Sequence, residues 1–266
     1  MIEEVKTKVK ALLDSKDVKG VLGLAMIHSH VQPYFFIKGE ELKDMVLNPK
    51  YSMPKIVKML QEHYPKVKFG IVARGCDEKG MIELAKRNHI NLDNIQILGI
   101  ACTEEEAKQC ACKTPYPQRI DVGKKVNGVD SNELADMLKE KNLEERLEFW
   151  TKVFSKCMKC YGCRDACPVC NCDICMLEKH EWVGGGALPP EHPTFHYIRI
   201  YHMVEKCVGC GECEKACPVD IPLAALQKLL REDVYELFGY TSGNDINDKP
   251  PLISTLEEVP IKGGEK

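Results

Sequence analysis

An α/β amino-terminal domain with a partly parallel sheet, followed by a smaller cysteine-rich α+β domain, is the architecture the sequence predicts. Three observations predict it: a strand–helix–strand pattern between Lys68 and Ala101, a cysteine motif written twice between Cys157 and Pro218, and a Pro/Gly-rich connector at 113–130. The 266 residues suffice for two domains, and a hydrophobic content of 44% suffices to bury a core.

In chain order, Val5, Val9, Leu12 and Leu13 recur at helical spacing over residues 2–13. Val21–Ile27 and Tyr34–Ile37 are short apolar runs, with Gln32-Pro33 read as the turn between them. Lys68–Ala73 reads as a strand, Asp77–Asn88 as a helix and Asn94–Ala101 as a second strand, which predicts a right-handed βαβ crossover and a parallel pair. Thr103 and Glu106 then form a Thr-x-x-Glu capping box for the next helix. Past the connector, one helical pattern runs from Asn132 to about Phe154, and another through Leu223, Leu226, Leu229 and Leu230. The expected division is therefore 1–112, a linker with helices at 113–154, a metal domain at 155–240 and an extended tail at 241–266.

A net charge of −3 offers no basic face for nucleic acid. No run of about eighteen apolar residues predicts direct membrane insertion, and the charged Met1–Lys10 segment predicts no signal peptide. The expected location is the cytoplasm. Fifteen cysteines in a leaderless chain of this size, at metal-ligand spacings, imply metal in a reducing compartment rather than disulfides.

The repeat carries the chemistry. Cys157-Met-Lys-Cys160-Tyr-Gly-Cys163-Arg-Asp-Ala-Cys167-Pro168-Val169 aligns with Cys207-Val-Gly-Cys210-Gly-Glu-Cys213-Glu-Lys-Ala-Cys217-Pro218-Val219, identical at seven of thirteen positions. Each copy is C-x2-C-x2-C-x3-C-P, the run of bacterial-type dicluster ferredoxins, in which the fourth cysteine serves the other cluster. Three thiolates at this interval wrap one face of a cube, and the fourth arrives from elsewhere. The reading assigns Cys157, Cys160, Cys163 and Cys217 to one 4Fe–4S cluster and Cys207, Cys210, Cys213 and Cys167 to a second. Structural zinc, which takes two separated Cys pairs, fits this spacing poorly.

The 39 residues between Cys167 and Cys207 exceed what two clusters need. They hold Trp182, His192, His196, Arg199 and His202, of which His196, Arg199 and Met203 fall on one helical face leading to Cys207. The histidine and arginine are candidate hydrogen-bond donors to a reduced cluster, or ordinary helix residues. Cys170, Cys172 and Cys175 are left over. They are alternative ligands, a small metal site with a histidine, or buried thiols; with no fourth ligand evident, buried thiols are expected.

Cys76, Cys102, Cys110 and Cys112 form a further candidate set, a third 4Fe–4S cluster. Cys76 and Cys102 each follow a predicted strand and precede a helix start, so both belong at the carboxyl edge of one sheet, where helix N-termini favour a thiolate. Cys110 and Cys112 lie one helix further on, before Pro115, where the chain can fold back over that edge. Unliganded thiols and zinc are the competing readings.

Gly70-Ile-Val-Ala-Arg-Gly-Cys76-Asp77, Ile82-Glu-Leu-Ala-Lys-Arg-Asn88 and Gly99-Ile-Ala-Cys102-Thr-Glu-Glu resemble the beta-subunit family of coenzyme-reducing hydrogenases and formate dehydrogenases. Phe195-His-Tyr-Ile-Arg-Ile-Tyr-His202, with the second cysteine motif and Asp220-Ile-Pro-Leu223, is similar to that family's iron–sulfur members, so the likeness spans most of residues 20–240. The resemblance implies an electron-transfer subunit of a multi-subunit anaerobic oxidoreductase. Its partners would be other redox subunits: a catalytic one (formate dehydrogenase, hydrogenase or tungsten aldehyde oxidoreductase) and a flavin-containing or heterodisulfide-reductase-like acceptor. Some members bind FAD and reduce a deazaflavin coenzyme themselves, which is the alternative; a free-standing ferredoxin is a third. The first 150 residues carry no Gly-x-Gly-x-x-Gly, since Gly70, Gly75 and Gly80 are wrongly spaced. No Gly-x-Ser-x-Gly, His-Glu-x-x-His or P-loop supplies a catalytic constellation.

Overall fold

Residues 1–179, 181–190 and 194–252 are described by a computed structural model, in which the chain divides into Met1–Asp130 and Ser131–Lys266. In the first unit, α1 (Ile2–Ser15) buries Val5 and Val9, one turn apart, and ends where Lys16 turns left-handed at φ 62°. Burial of each valine contributes about 2 kcal/mol. Strand β1 (Val21–Ile27) pairs antiparallel with β2 (His30–Phe36) and with the short β3 (Met45–Val46). Helix α2 (Pro54–His63) starts on a proline, whose missing N–H costs nothing there. Then come β4 (Phe69–Ala73), α3 (Gly75–Lys86), β5 (Ile95–Gly99) and α4 (Glu104–Gln109).

The sheet order is β2-β1-β4-β5, with β3 on β1. Strand β4 runs parallel to β5 from Phe69↔Ile95 to Ala73↔Gly99, and parallel to β1 at Val21↔Gly70. The sheet is thus mixed, parallel around β4 and antiparallel at the β2 side. Alternation along the strands sends Val21, Ala25, Val72 and Leu98 against Val5 and Val9 of α1. Leu22, Leu24, Phe69 and Ile71 face the other way, onto Val57 of α2 and Met81 and Leu84 of α3. Helices cover both faces, so the carboxyl ends of β4 and β5 are what remains open for chemistry.

Two local expectations are corrected. Gln32 and Pro33 are not a turn but lie inside β2, with Pro33 opposite Leu24. The turn is His28-Ser29, both at positive φ (49° and 65°), which matches the twist of a two-residue hairpin. Pro33 is tolerated because β2 is an edge strand and needs no N–H on its outer side. The pattern from Asn132 to Phe154 is two helices, α5 (Glu133–Lys139) and α6 (Leu143–Phe154). Asn142 breaks it: its side chain accepts from Glu145 N–H, and Glu145 accepts from Asn142 N–H, a complete capping box.

The second unit continues with two four-residue helices, α7 (Gly162–Asp165) and, after α8 (Thr194–Tyr201), α9 (Glu212–Lys215), and closes on α10 (Leu223–Phe238). Among the described residues no helix is long and apolar enough to cross a membrane. The tail expected from 241 and the position of His192 lie partly or wholly outside the described residues.

Candidate metal centres

The cysteine repeat is also a backbone repeat with an offset of fifty residues. Lys159 and Tyr161 have positive φ (53° and 59°), as do their counterparts Gly209 and Gly211 (70° and 77°). Arg164 N–H bonds Tyr161 O and Ala166 N–H bonds Gly162 O; Glu214 to Gly211 and Ala216 to Glu212 repeat the pattern. These loops turn amides onto sulfur. Lys159 N–H donates to Cys157 Sγ at 3.4 Å, and Gly209 N–H does the same for Cys207. Ile221 N–H donates to Cys217 Sγ at 3.3 Å. Helices α7 and α9 pack so closely that a Cβ on Gly162 would stand 2.8 Å from Ala216 O.

That packing crosses the two motifs. Cys157 has Cys163, Cys160 and Cys217 as electrostatic neighbours; Cys207 has Cys167, and Cys213 has Cys207, Cys167 and, more weakly, Cys163. Cys217 thus adjoins Cys157 and Cys163 of the first run, and Cys167 adjoins Cys207 and Cys213 of the second. Cys210 sits on the loop between Cys207 and Gly211. Burial pushes the Cys157, Cys163, Cys207 and Cys213 thiols up, so as bare thiolates they would be costly to hold.

Arg199 of α8 lies at the junction. It is buried, its Nη2 donates to Cys163 O at 2.8 Å, and Cys167, Cys170 and Cys163 raise its already high pKa against the cost of burial. Its Nε is buried without a hydrogen-bond partner among the described residues, an orphan donor beside two cysteine sets. His196, on the same helix, stacks on Phe154 at a centroid distance of 4.0 Å and belongs to the apolar packing of α6. Met203 is buried in the turn after α8.

In the first unit the four cysteines collect at the carboxyl edge of the sheet. Cys76 opens α3 just beyond β4, Cys102 precedes the Thr103 cap of α4, and Cys110 ends α4. Cys102 and Cys112 are charged neighbours of Cys76, and Cys112 and Cys110 are charged neighbours of Cys102. The Cys110-Ala-Cys112 pair is bent by Ala111, held at φ 43°, while Cys112 N–H bonds Ala107 O at 3.0 Å. The connector closes over this edge: Cys102 N–H bonds Pro115 O at 2.8 Å, Gly99 N–H bonds Asp121 Oδ2 at 2.9 Å, and Ala101 N–H bonds Val122 O at 3.0 Å.

Burial is the largest influence on the two thiols, raising Cys76 to about 12 and Cys102 to about 11. Two cations offset this, Lys50 outside every motif and Arg74 inside the Gly70–Asp77 segment. Lys50 Nζ stands 4.0 Å from Cys110 Sγ and lowers Cys76, and the buried Arg74 lowers Cys102. Arg74 Nη2 donates to Leu47 O (2.9 Å), Asn48 Oδ1 (3.0 Å) and Glu106 Oε1 (2.8 Å). Glu106 Oε2 meanwhile caps α4 through Thr103 N–H at 2.8 Å. One carboxylate therefore ties the β4 end, next to Cys76, to the helix that follows Cys102.

Among the described residues no three Cys, His, Asp or Glu side chains converge as a single metal ion requires. A cubane asks for something else, since each thiolate binds a different iron at its own corner. Three all-cysteine sets, amides directed at sulfur and nearby cations match such a cluster's donor chemistry and negative charge.

Residues 200–222, which span the Cys207–Cys217 run, match the 4Fe-4S binding domain family. The chain is 27% identical to the F420-dependent formate dehydrogenase subunit beta of Methanocaldococcus jannaschii, in an alignment covering 92% of each. It is 38% identical to the F420-dependent formate dehydrogenase 1 subunit beta of Methanococcus maripaludis over 53% of this chain and 36% of that one. Sulfhydrogenase 2 subunit beta of Pyrococcus furiosus is 29% identical over 37% of each.

Proposed function

We propose, for a chain that belongs to the beta-subunit family of coenzyme-reducing hydrogenases and formate dehydrogenases, the role of an iron–sulfur electron-transfer subunit. Residues 155–240 form a dicluster ferredoxin domain, with Cys157, Cys160, Cys163 and Cys217 on one 4Fe–4S cluster and Cys207, Cys210, Cys213 and Cys167 on the other. Residues 1–112 carry a third cluster on Cys76, Cys102, Cys110 and Cys112. The observation that carries the reading is the crossed neighbourhood of Cys217 and Cys167. Unrelated zinc or structural thiols have no reason to exchange fourth ligands between two loops.

Bound there, the clusters supply one-electron carriers. The chain's own part is to set their energetics: amides of Lys159, Gly209 and Ile221 donate to ligand sulfurs, and Arg199 adds a fixed buried charge. Electrons pass between a catalytic subunit and a flavin-containing acceptor in the cytoplasm. The test is anaerobic purification from the native cell. Co-purifying redox subunits and negligible formate, hydrogen or coenzyme turnover by the isolated chain are expected; robust turnover by the chain alone overturns the reading.

The second reading is a flavoprotein that itself reduces or oxidises a deazaflavin coenzyme. It is favoured by the 92% coverage of a relative named F420-dependent. A yellow chromophore retained through purification and released on denaturation distinguishes it.

A further inference from the structure

The three leftover cysteines are not buried thiols: Cys172 is exposed, and Cys170 and Cys175 are part-buried. All three line one open recess of about 260 Å³, and His202 lines it with them. His202 reaches the recess from the turn that ends α8, where its N–H bonds Ile198 O at 3.1 Å. The fourth donor missing from Cys170-Asn-Cys172-Asp-Ile-Cys175 is therefore supplied from 27 positions beyond Cys175.

We propose that Cys170, Cys172, Cys175 and His202 hold a further 4Fe–4S cluster in this recess, separate from the three assigned to the other twelve cysteines. Three features support it. Among the described residues, the four line one recess without converging as the ligands of a single zinc ion do. Cations line the recess: Arg199 faces Cys170, Lys206 forms part of the wall, and Arg164, already paired with Asp165 and Glu178, also hydrogen-bonds Cys175. Three thiols left unligated at one open recess would be accessible to oxidation, a poor state for structural cysteines. Each thiol releases its proton as its sulfur–iron bond forms, and the imidazole binds through a ring lone pair. Because Arg199 also faces Cys163 and Cys167, the recess adjoins both ferredoxin sets, and exposed Cys172 brings the cluster to the surface. Its role is then the point at which electrons enter or leave this unit.

The test compares the full chain with the variant Cys170→Ser/Cys172→Ser/Cys175→Ser, and with Cys172→Ser alone, which alters only an exposed side chain. Both are reconstituted anaerobically with iron and sulfide. Iron, sulfide and zinc are counted, and spectra are recorded by electron paramagnetic resonance. The triple variant is expected to hold about four fewer irons and four fewer sulfides per chain, with the ferredoxin signals retained. His202→Ala is expected to shift or abolish one signal, and His202→Cys to restore it. Equal iron in wild type and triple variant overturns the proposal, as does loss of zinc in place of iron. Failure of the broader reading looks different: wild type and variant alike would then lack the ferredoxin signals.

Discussion

Arg199 Nη2 donates to the carbonyl oxygen of Cys163 at 2.8 Å, which pins a buried guanidinium close to cysteines of both runs. A positive charge held there favours the reduced, more negative state of whatever redox centre those cysteines bind. Arg199→Gln is expected to lower the reduction potential of both ferredoxin clusters together. At a fixed potential, a tenfold fall in the reduced fraction corresponds to about 59 mV for one electron. Redox titration of the two signals checks this; a shift in neither, at unchanged iron content, counts against the assignment.

Cross-ligation predicts damage at a distance. Cys167→Ala should disable the cluster on Cys207, Cys210 and Cys213, and Cys217→Ala the one on Cys157, Cys160 and Cys163. Spectra in which each variant loses the cluster nearer in sequence reject it. Cys102→Ala should leave both ferredoxin signals intact while removing about four irons from the first unit.

The Arg74–Glu106 pair offers a test of the sheet edge. Arg74→Met breaks a pair whose arginine side chain is only 6% exposed, leaving Glu106 without its cation. A loss of about 3 kcal/mol is expected from denaturant melts of the first unit. Gly99→Ala should be comparably harmful, since its Cβ would stand 2.1 Å from Arg119 O and nothing but backbone movement relieves that.

Glu232 gives a pH signature in the second unit. Its carboxyl is penalised by partial burial, yet hydrogen bonds from Lys228 and Lys139 hold it below the usual carboxylate range. A depressed pKa means the folded state binds fewer protons, so this stabilisation is present above about pH 4.3 and is lost as pH falls through the folded value. The side chain is 29% exposed and joins α10 to α5 through Lys139 at 2.9 Å. Glu232→Gln should therefore cost no more than about 1 kcal/mol at pH 7, and the difference from wild type should vanish near pH 3. A pH-independent difference would show that packing, not charge, is responsible.

The features legible in the sequence were those encoded within a few residues. The parallel pair β4–β5, the Thr103–Glu106 box and the cysteine runs each announce themselves locally. Pro33 misled because a proline breaks a central strand but not an edge, and edge status depends on strand order. Asn142 went unseen as a cap because the leucines on either side keep a continuous helical rhythm. Lys50 and Arg74 could not be placed: their partners Cys110 and Glu106 lie 60 and 32 positions away, and no spacing rule reaches that far. The same holds for His202 and the three cysteines it joins across the recess.

Under the proposed ligand sets, the exchange of Cys167 and Cys217 between loops also sets a schedule for biosynthesis. Cys217 is 54 positions beyond Cys163, so a ribosome still making α8 has released three ligands of the first ferredoxin site and only the fourth of the second. Neither cube can be closed until translation passes both runs, whereas Cys76, Cys102, Cys110 and Cys112 are all available once Cys112 has emerged. An amino-terminal cluster so ligated would be free to mature on the nascent chain, while both ferredoxin sites would have to be filled late, once the second run has emerged.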